Sequence, residues 1–328
     1  MRREYLRAIC LTSAGLLVIL TAGCATASGS SKWSGLEKTN LTVGAVPVGD
    51  EAGLYVAKDQ GLFTKVGLNV TIDSIVSSAL ATKDQNDGAY DITAGNSVSY
   101  IQDQVTGASN LEIVAEGSLM QPNNQALYTM PGSPIKSIAD LRGARIGVNV
   151  PDNIGTLLIS SVLEEHGVSP KDVHFVPVNF PLMGEDLKKH IIDVAWLPEP
   201  FGSEDQASMG LEELCDLDQG ATASFPVGWY VVTKAWAKKY PRTLAAFLYA
   251  LREGQQIADT DRSVVQDAME KLPFPYTVPA QIAAVMSLED YPLSIAPDID
   301  QSRVQRVADA MYQFQMLTHP FQVSSMLN

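Results

Sequence analysis

Along this chain, short runs of β-branched and apolar residues alternate with longer segments whose apolar positions recur every three or four residues. LTVGAVPV, NVTIDSIV, YDITAG and LEIVAEG have the period and composition of strands, with helical segments between them. A second series starts near residue 144: ARIGVNV, the helix TLLISSVLEEHG, VHFVPVN, then DLKKHIIDVAWL. Strand and helix in alternation predict α/β units built on mainly parallel sheets. NQALYTM lies between the two series and GWYVVTK follows the second, both extended and apolar enough to cross between two lobes. Beyond Lys234 the pattern turns helical, with LAAFLYALREGQQIA and RVQRVADAMYQFQMLTH expected to pack back on the first lobe. The boundaries implied are 39–129 and 231–328 for lobe 1, and 130–230 for lobe 2.

The N-terminus has another character. Arg2, Arg3 and Arg7 precede AICLTSAGLLVILTAG, an apolar run of secretory-leader length and too short for a comfortable membrane span. Its end, Leu20-Thr21-Ala22-Gly23-Cys24, resembles the lipobox of bacterial lipoproteins. That resemblance implies a signal peptide over residues 1–23, an acylated Cys24, and an extracytoplasmic protein anchored to the cell membrane by lipid. Residues 24–38 are rich in Ser, Gly, Ala and Thr and read as a flexible tether. Cys10 would leave with the leader, so Cys215 remains without a partner for a disulfide or a cysteine metal cluster.

The chain has 328 residues and a net charge of −14. The leader holds three Arg and one Glu, so its removal makes the balance −16. So acidic a body argues against nucleic acid and anionic lipid as partners. His166, His174, His190 and His319 are scattered, and the spacing matches no catalytic triad, metal site or phosphate loop, so no enzyme activity and no cofactor are expected.

One stretch asks for explanation. The strand LTVGAVPV runs into Gly49-Asp50-Glu51-Ala52-Gly53 before a short helix that places Ala52, Tyr55 and Val56 on one face and stops at Gly61. In α/β sheets, ligands bind beyond the carboxyl ends of strands, beside helix N-termini. The small residues either serve loop geometry or open the floor of a cleft.

GLYVAKDQGLFTKVGLNV, at the same place, resembles the YxAxxxGxFxxxGLxV signature of ABC-transporter substrate-binding proteins of the nitrate, sulfonate, taurine and thiamine-precursor branch. GAYDITAGNSVSYI, the block from SIADLRGARIGV to VHFVPV, and IIDVAWLPEPF resemble further segments of that branch in the expected order. The resemblance implies a two-lobe, type II periplasmic-binding-protein fold. It implies a monomer that captures a small-molecule ligand between lobes and delivers it to ABC permease and ATPase subunits. The hinge would be the crossing strands near Leu127 to Met130 and Tyr230 to Val232. Lys189-His190-Ile191-Ile192 departs from the small residue, often Gly or Ala, usual in that branch before the segment that begins here at Asp193.

The cleft candidates that follow are Tyr55 on the first helix; Gly95, Asn96 and Ser97 at one strand-to-helix turn; and Asn153, Gly155 and Thr156 at another, where Asp152 or Asn153 could equally be an N-cap. Trp196, Glu199, Trp229 and Tyr230 would form cleft walls, and Met120, Asn123 and Asn124 the floor. The donor loop at Asn153 to Thr156 favours a sulfonate-like or nitrate-like anion. The aromatic residues with Glu199 fit the alternative, a thiamine-precursor pyrimidine or flavin-like heterocycle. A sensor lipoprotein and a bilobal biosynthetic enzyme are the other readings.

Overall fold

The computed structural model describes residues 32–272 and 276–328. The expected signal peptide, the Cys24 lipid site and the tether as far as residue 31 lie outside the described residues.

Among the described residues, ten strands make two sheets: β1 (Asn40–Ala45), β2 (Asn69–Ser74), β3 (Ile92–Asn96), β4 (Leu111–Leu119), β5 (Gln125–Thr129), β6 (Arg145–Val148), β7 (His174–Pro177), β8 (Val194–Pro198), β9 (Glu212–Asp216) and β10 (Pro226–Thr233). The first sheet has the order β2-β1-β3-β10-β4 and the second β7-β6-β8-β5-β9. In each, four strands share a direction and the fourth in order opposes them. The inner strands are apolar and buried almost throughout, as strands covered by helices on both faces must be.

The two runs expected to cross between lobes do not cross. The Leu127–Met130 run falls largely in β5, inside the second sheet, and Tyr230–Val232 falls in β10, inside the first. Extended, apolar sequence marks strands buried on both faces, which is what these two are. The connections are the polar links beside them, residues 120–124 and 217–225. They lie side by side: Met120 N–H donates to Phe225 O at 2.9 Å and Leu217 N–H to Gln125 O at 3.0 Å.

The tether is also shorter than its composition suggests. The Glu37 carboxylate accepts from Thr243 N–H at 2.9 Å and Arg242 N–H at 3.2 Å, capping the helix Pro241–Thr260. Lys38 pairs with Asp91 at 2.5 Å. Trp33, at 5.3 Å from Tyr249 between ring centroids, and Leu36 also pack on the body, so polar bonds and isolated apolar contacts together fix a segment that lacks an apolar period.

Helices after residue 234 cover the first sheet. Phe247, on Pro241–Thr260, stacks on Phe63 at 5.0 Å between centroids, a pair worth about 0.5–1.5 kcal/mol beyond its buried area. Helix Gln301–Gln313 is capped by Asp300 and fastened to β4 by Arg303, whose guanidinium grips the fully buried Glu116 carboxylate with two bonds of 2.6 Å.

Candidate ligand cleft

The carboxyl ends of β1 and β3 face those of β6 and β8 across a cavity lined by Val46, Val48, Asp50, Glu51, Gly95 and Asn96 on one side, with Gln125, Asn149, Asn153, Ile154, Phe180, Trp196 and Pro198 on the other. Its free volume is about 20 Å³, room for roughly one water.

The first wall begins where β1 ends. Gly49–Glu51 form one turn of 3-10 helix, and the helix Ala52–Asp59 follows, stopping before Gly61 in the left-handed conformation at φ 65°. Gly53 is small for packing: a Cβ there would lie 2.6 Å from Gln255 Cγ and 3.1 Å from its Cα. Gly49 faces the other lobe, and its N–H donates to Glu199 O at 3.0 Å. Gly49 O accepts from the buried Tyr291 hydroxyl at 3.1 Å.

Two acidic side chains of that turn define the electrostatics. Asp50 is 9% exposed and accepts from Ser118 Oγ at 3.3 Å and Gln125 Nε2 at 3.4 Å. Its carboxyl also hydrogen-bonds that of Glu289, brought alongside because Asp290 pairs with Leu119 at the end of β4. Two carboxyls in contact away from water hold one proton between them. Burial pushes Glu289 well up, and the charge of Asp50 pushes it further. Burial raises Asp50 too, opposed by the bonds it receives from Glu289, Ser118 and Gln125. Glu51 is 2% exposed and its Oε2 has no partner. Burial first, then Asp50, holds its carboxyl well above the ordinary range. Among the described residues, the cavity lining contains no Lys, Arg or His.

The second wall is built on helix Ile154–Glu165. Asn153 is its N-cap, with Oδ1 accepting from Gly155 N–H at 3.1 Å and Thr156 N–H at 3.5 Å, and Nδ2 donating to Asn149 Oδ1 at 2.6 Å. The capping reading of Asn153 is thus realised, and those two N–H groups are already occupied. Trp196 lies flat against Gly155, where a Cβ would meet the indole at 2.3 Å. Phe180 meets the same indole edge-on at 5.3 Å. Trp196 Nε1 and Thr156 Oγ1 are buried without partners.

Of the residues expected at the site, Gly95, Asn96, Asn153 and Trp196 line the cavity. Gly155 and Thr156 stand behind that wall. Asn96 caps the helix Ser97–Thr106, and Gly95 presses on Ser78, whose Oγ would be 2.2 Å from a Cβ. Tyr55, Ser97, Glu199 and Trp229 do not line it. The Tyr55 hydroxyl donates to Val46 O at 3.0 Å, and Ser97 Oγ to Pro226 O at 3.1 Å. Trp229 and Tyr230 are buried in the core on opposite faces of β10. Glu199 accepts from Ser203 Oγ at 2.7 Å and Ser203 N–H at 3.2 Å, which caps the helix Phe201–Met209, and burial raises its carboxyl. Of the floor candidates, Met120 and Asn124 are buried in the first link and Asn123 is exposed on it. Asp50, Glu51, Gln125, Asn149 and Phe180 are lining residues that sequence reasoning passed over. For the acidic pair the sequence holds no distinct signal, since two carboxylates in a turn after a strand read as a solvated loop until the fold buries them.

Two sheets of this order, joined by two short links and facing one cleft, define the type II class of two-lobe binding-protein fold. The chain belongs to the NMT1/THI5-like family, whose model matches residues 49–261. The nitrate import ATP-binding protein NrtC of Synechocystis sp. is 27% identical over 75% of this chain and 38% of its own length. A putative thiamine biosynthesis protein of Haemophilus influenzae is 31% identical over 40% of this chain and 41% of its own. The chain therefore spans about two fifths of the length of these relatives. The solved structure of the alkanesulfonate-binding protein SsuA from Xanthomonas axonopodis pv. citri, bound to MOPS, matches with a TM-score of 0.73 at 16% identity, over 89% of this chain and 99% of that one. The desulfurization enzyme DszB shares the fold, with a TM-score of 0.65 at 16% identity over 88% of this chain and 96% of that one.

Proposed function

We propose that this protein is the extracytoplasmic solute-binding component of an ABC importer, and that it closes on a small nitrogen-bearing heteroaromatic ligand. The observation that carries the ligand class is the cavity lining: two buried carboxyls, an indole and a phenyl ring, and no cationic side chain. A free anion placed there meets the negative charge that Asp50 shares with Glu289, with no cationic side chain among the described lining residues to offset it, and the N–H groups of Gly155 and Thr156 are bonded to Asn153. A flat ring that slides along Trp196 and Phe180 and presents N–H donors to the acids meets neither penalty. The thiamine-related name of the Haemophilus relative agrees with this choice, whereas nitrate and sulfonate in the names of other relatives belong with the anion expected from the donor loop.

Because the cavity admits only about one water, ligand entry requires the two sheets to separate. The paired links 120–124 and 217–225 are the hinge in this proposal, in place of the strands β5 and β10. The protein works as a monomer, its partners are the permease and ATPase, and Cys24 holds it to the membrane. Among the described residues no helix is long and apolar enough to cross one. The role is capture without chemistry, as for the alkanesulfonate-binding protein SsuA of the same fold, although DszB shows that the fold can host an enzyme.

A thermal-shift screen with calorimetry on each hit tests this. Aminopyrimidines and flavins are expected to raise the melting point, since a ligand of the folded state alone stabilises by RT ln(1 + [L]/Kd). A shift with nitrate, bicarbonate or alkyl sulfonates and none with heterocycles would return the ligand class to an anion. Turnover of a heterocycle would move the protein among the enzymes.

A further inference from the structure

We infer that Glu51 is the residue that sets the ligand class of the cleft, by accepting a hydrogen bond from an N–H group of the ligand. The inference rests on the heteroaromatic reading above and deepens it.

Its basis is geometric. Glu51 lines the cavity, is buried, and leaves Oε2 without a hydrogen-bond partner. A buried carboxylate with an unused oxygen carries an uncompensated desolvation penalty, which a donor from outside the chain would remove. No such donor comes from the wall facing it: its polar members are Gln125, Asn149, Asn153 and the Trp196 indole, whose Nε1–H is itself without a partner and so does not reach Glu51. Asn149 and Asn153 bond each other, and Gln125 Nε2 is given to Asp50. The titratable groups near Glu51 are acidic or phenolic: Asp50 on its own turn, Glu289 on the loop beside β4, Tyr55 on the following helix, Tyr100 on helix Ser97–Thr106 and Tyr230 on β10. The Tyr100 and Tyr230 hydroxyls also lack partners. Asp50 cannot take the same role, since its oxygens are shared among Ser118, Gln125 and Glu289.

The charge balance follows. In the ligand-free cleft Glu51 is a neutral acid, held so by burial and by the neighbouring Asp50. When a ligand brings a nitrogen that bears a proton, the Glu51 O–H bond breaks, its proton passes to water, and the carboxylate accepts the ligand N–H. Binding then tightens as pH rises, by up to about tenfold per pH unit until Glu51 ionises in the free protein.

The test uses the whole protein, two probe classes, and Glu51→Gln, which keeps the shape and removes the titration. The probes are 4-amino-5-hydroxymethyl-2-methylpyrimidine for protonated nitrogen, and ethanesulfonate with nitrate for anions without it. Calorimetry in two buffers of different ionisation enthalpy counts the protons released by the wild type. We expect release of up to one proton per pyrimidine, tightening with pH, and in E51Q at least tenfold weaker binding with the pH slope gone. Pyrimidine binding that E51Q leaves unchanged in strength and slope overturns the role of Glu51 while the heteroaromatic reading stands. Binding of the anions alone overturns both Glu51 and the ligand class but leaves solute binding. A melting point that neither probe class moves overturns the inference together with the reading beneath it. The wild-type proton count needs no variant, so a poorly folded E51Q would still leave it decisive.

Discussion

Gly155→Ala separates two opposite expectations at the cleft wall. Gly155 lies in the first turn of a helix, and its φ is outside the left-handed region, so the backbone admits any residue there. By helix propensity alone, alanine should stabilise by up to about 1 kcal/mol. The contact geometry says otherwise. The new Cβ would lie 2.3, 2.4 and 2.6 Å from Cε3, Cζ3 and Cδ2 of Trp196, where carbon atoms settle at about 3.5–4.0 Å. The indole must therefore retreat by about 1 Å or more. It is 2% exposed and has Phe180 against it at 5.3 Å, so the retreat is paid in overpacking of about 1–3 kcal/mol. The strain exceeds the propensity gain, and the net loss should be about 1–2 kcal/mol, a fall in melting temperature of about 2–3 °C for a chain of this size. Because Trp196 is also the proposed stacking surface, affinity for an aminopyrimidine should fall with it. Differential scanning calorimetry gives the first quantity, isothermal titration the second, and indole fluorescence reports the ring's displacement. A variant more stable than wild type, with unchanged affinity, would refute the claim that this glycine exists to seat the indole.

Arg303→Met should cost about 3–5 kcal/mol in urea denaturation, because it strands the fully buried Glu116 carboxylate; adding Glu116→Gln should recover most of that loss, and a loss below about 1 kcal/mol in the single variant would refute the assignment. Stability should fall as pH rises from the ordinary carboxylate range: the raised Glu51 and Glu289 keep their protons in the folded state after the unfolded chain has released them, each unit of elevation amounting to about 1.4 kcal/mol. Glu289→Gln should flatten that decline between pH 4.5 and 8 in equilibrium denaturation, and an unchanged slope would count against the proton shared with Asp50. Thr156→Val removes a buried hydroxyl that has no partner and should stabilise by about 1 kcal/mol; a large loss of sulfonate or nitrate affinity instead would mark that hydroxyl as an anion donor.

The fold was legible because each strand carries its own signature. LTVGAVPV, YDITAG and LEIVAEG are short runs rich in β-branched and small apolar residues, and the segments between them hold a helical period, so two α/β units could be read directly from the chain. What periodicity does not encode is the partner of a strand. NQALYTM and GWYVVTK have the composition of a doubly buried strand whether they cross between sheets or lie within one, and the return of the chain decided it: β5 and β10 each insert against the direction of their neighbours. Residues 32–38 show no apolar period, yet Glu37 and Lys38 bond to the body and Trp33 and Leu36 pack on it, single contacts that a periodicity reading does not register.

At the cleft, reading strand-to-helix turns found the positions better than the chemistry. Gly95, Asn96 and Asn153 line the cavity because the carboxyl ends of parallel strands converge there, a rule that needs no knowledge of the partner lobe. The aromatic residues divide by strand register: Trp196 reaches the cavity from β8, while Trp229 on β10 turns into the core. The acidic character of the site was the part least visible, because it is assembled from distant segments. Asp50 and Glu51 read as an ordinary charged turn until Glu289 is brought to Asp50 through the pairing of Leu119 with Asp290. Two carboxylates on a loop are solvated and cheap; three carboxyls buried together, one sharing a proton and one with an idle oxygen, are costly unless something recovers the cost. That imbalance points to a ligand nitrogen rather than an anion, and it exists only once the chain has folded.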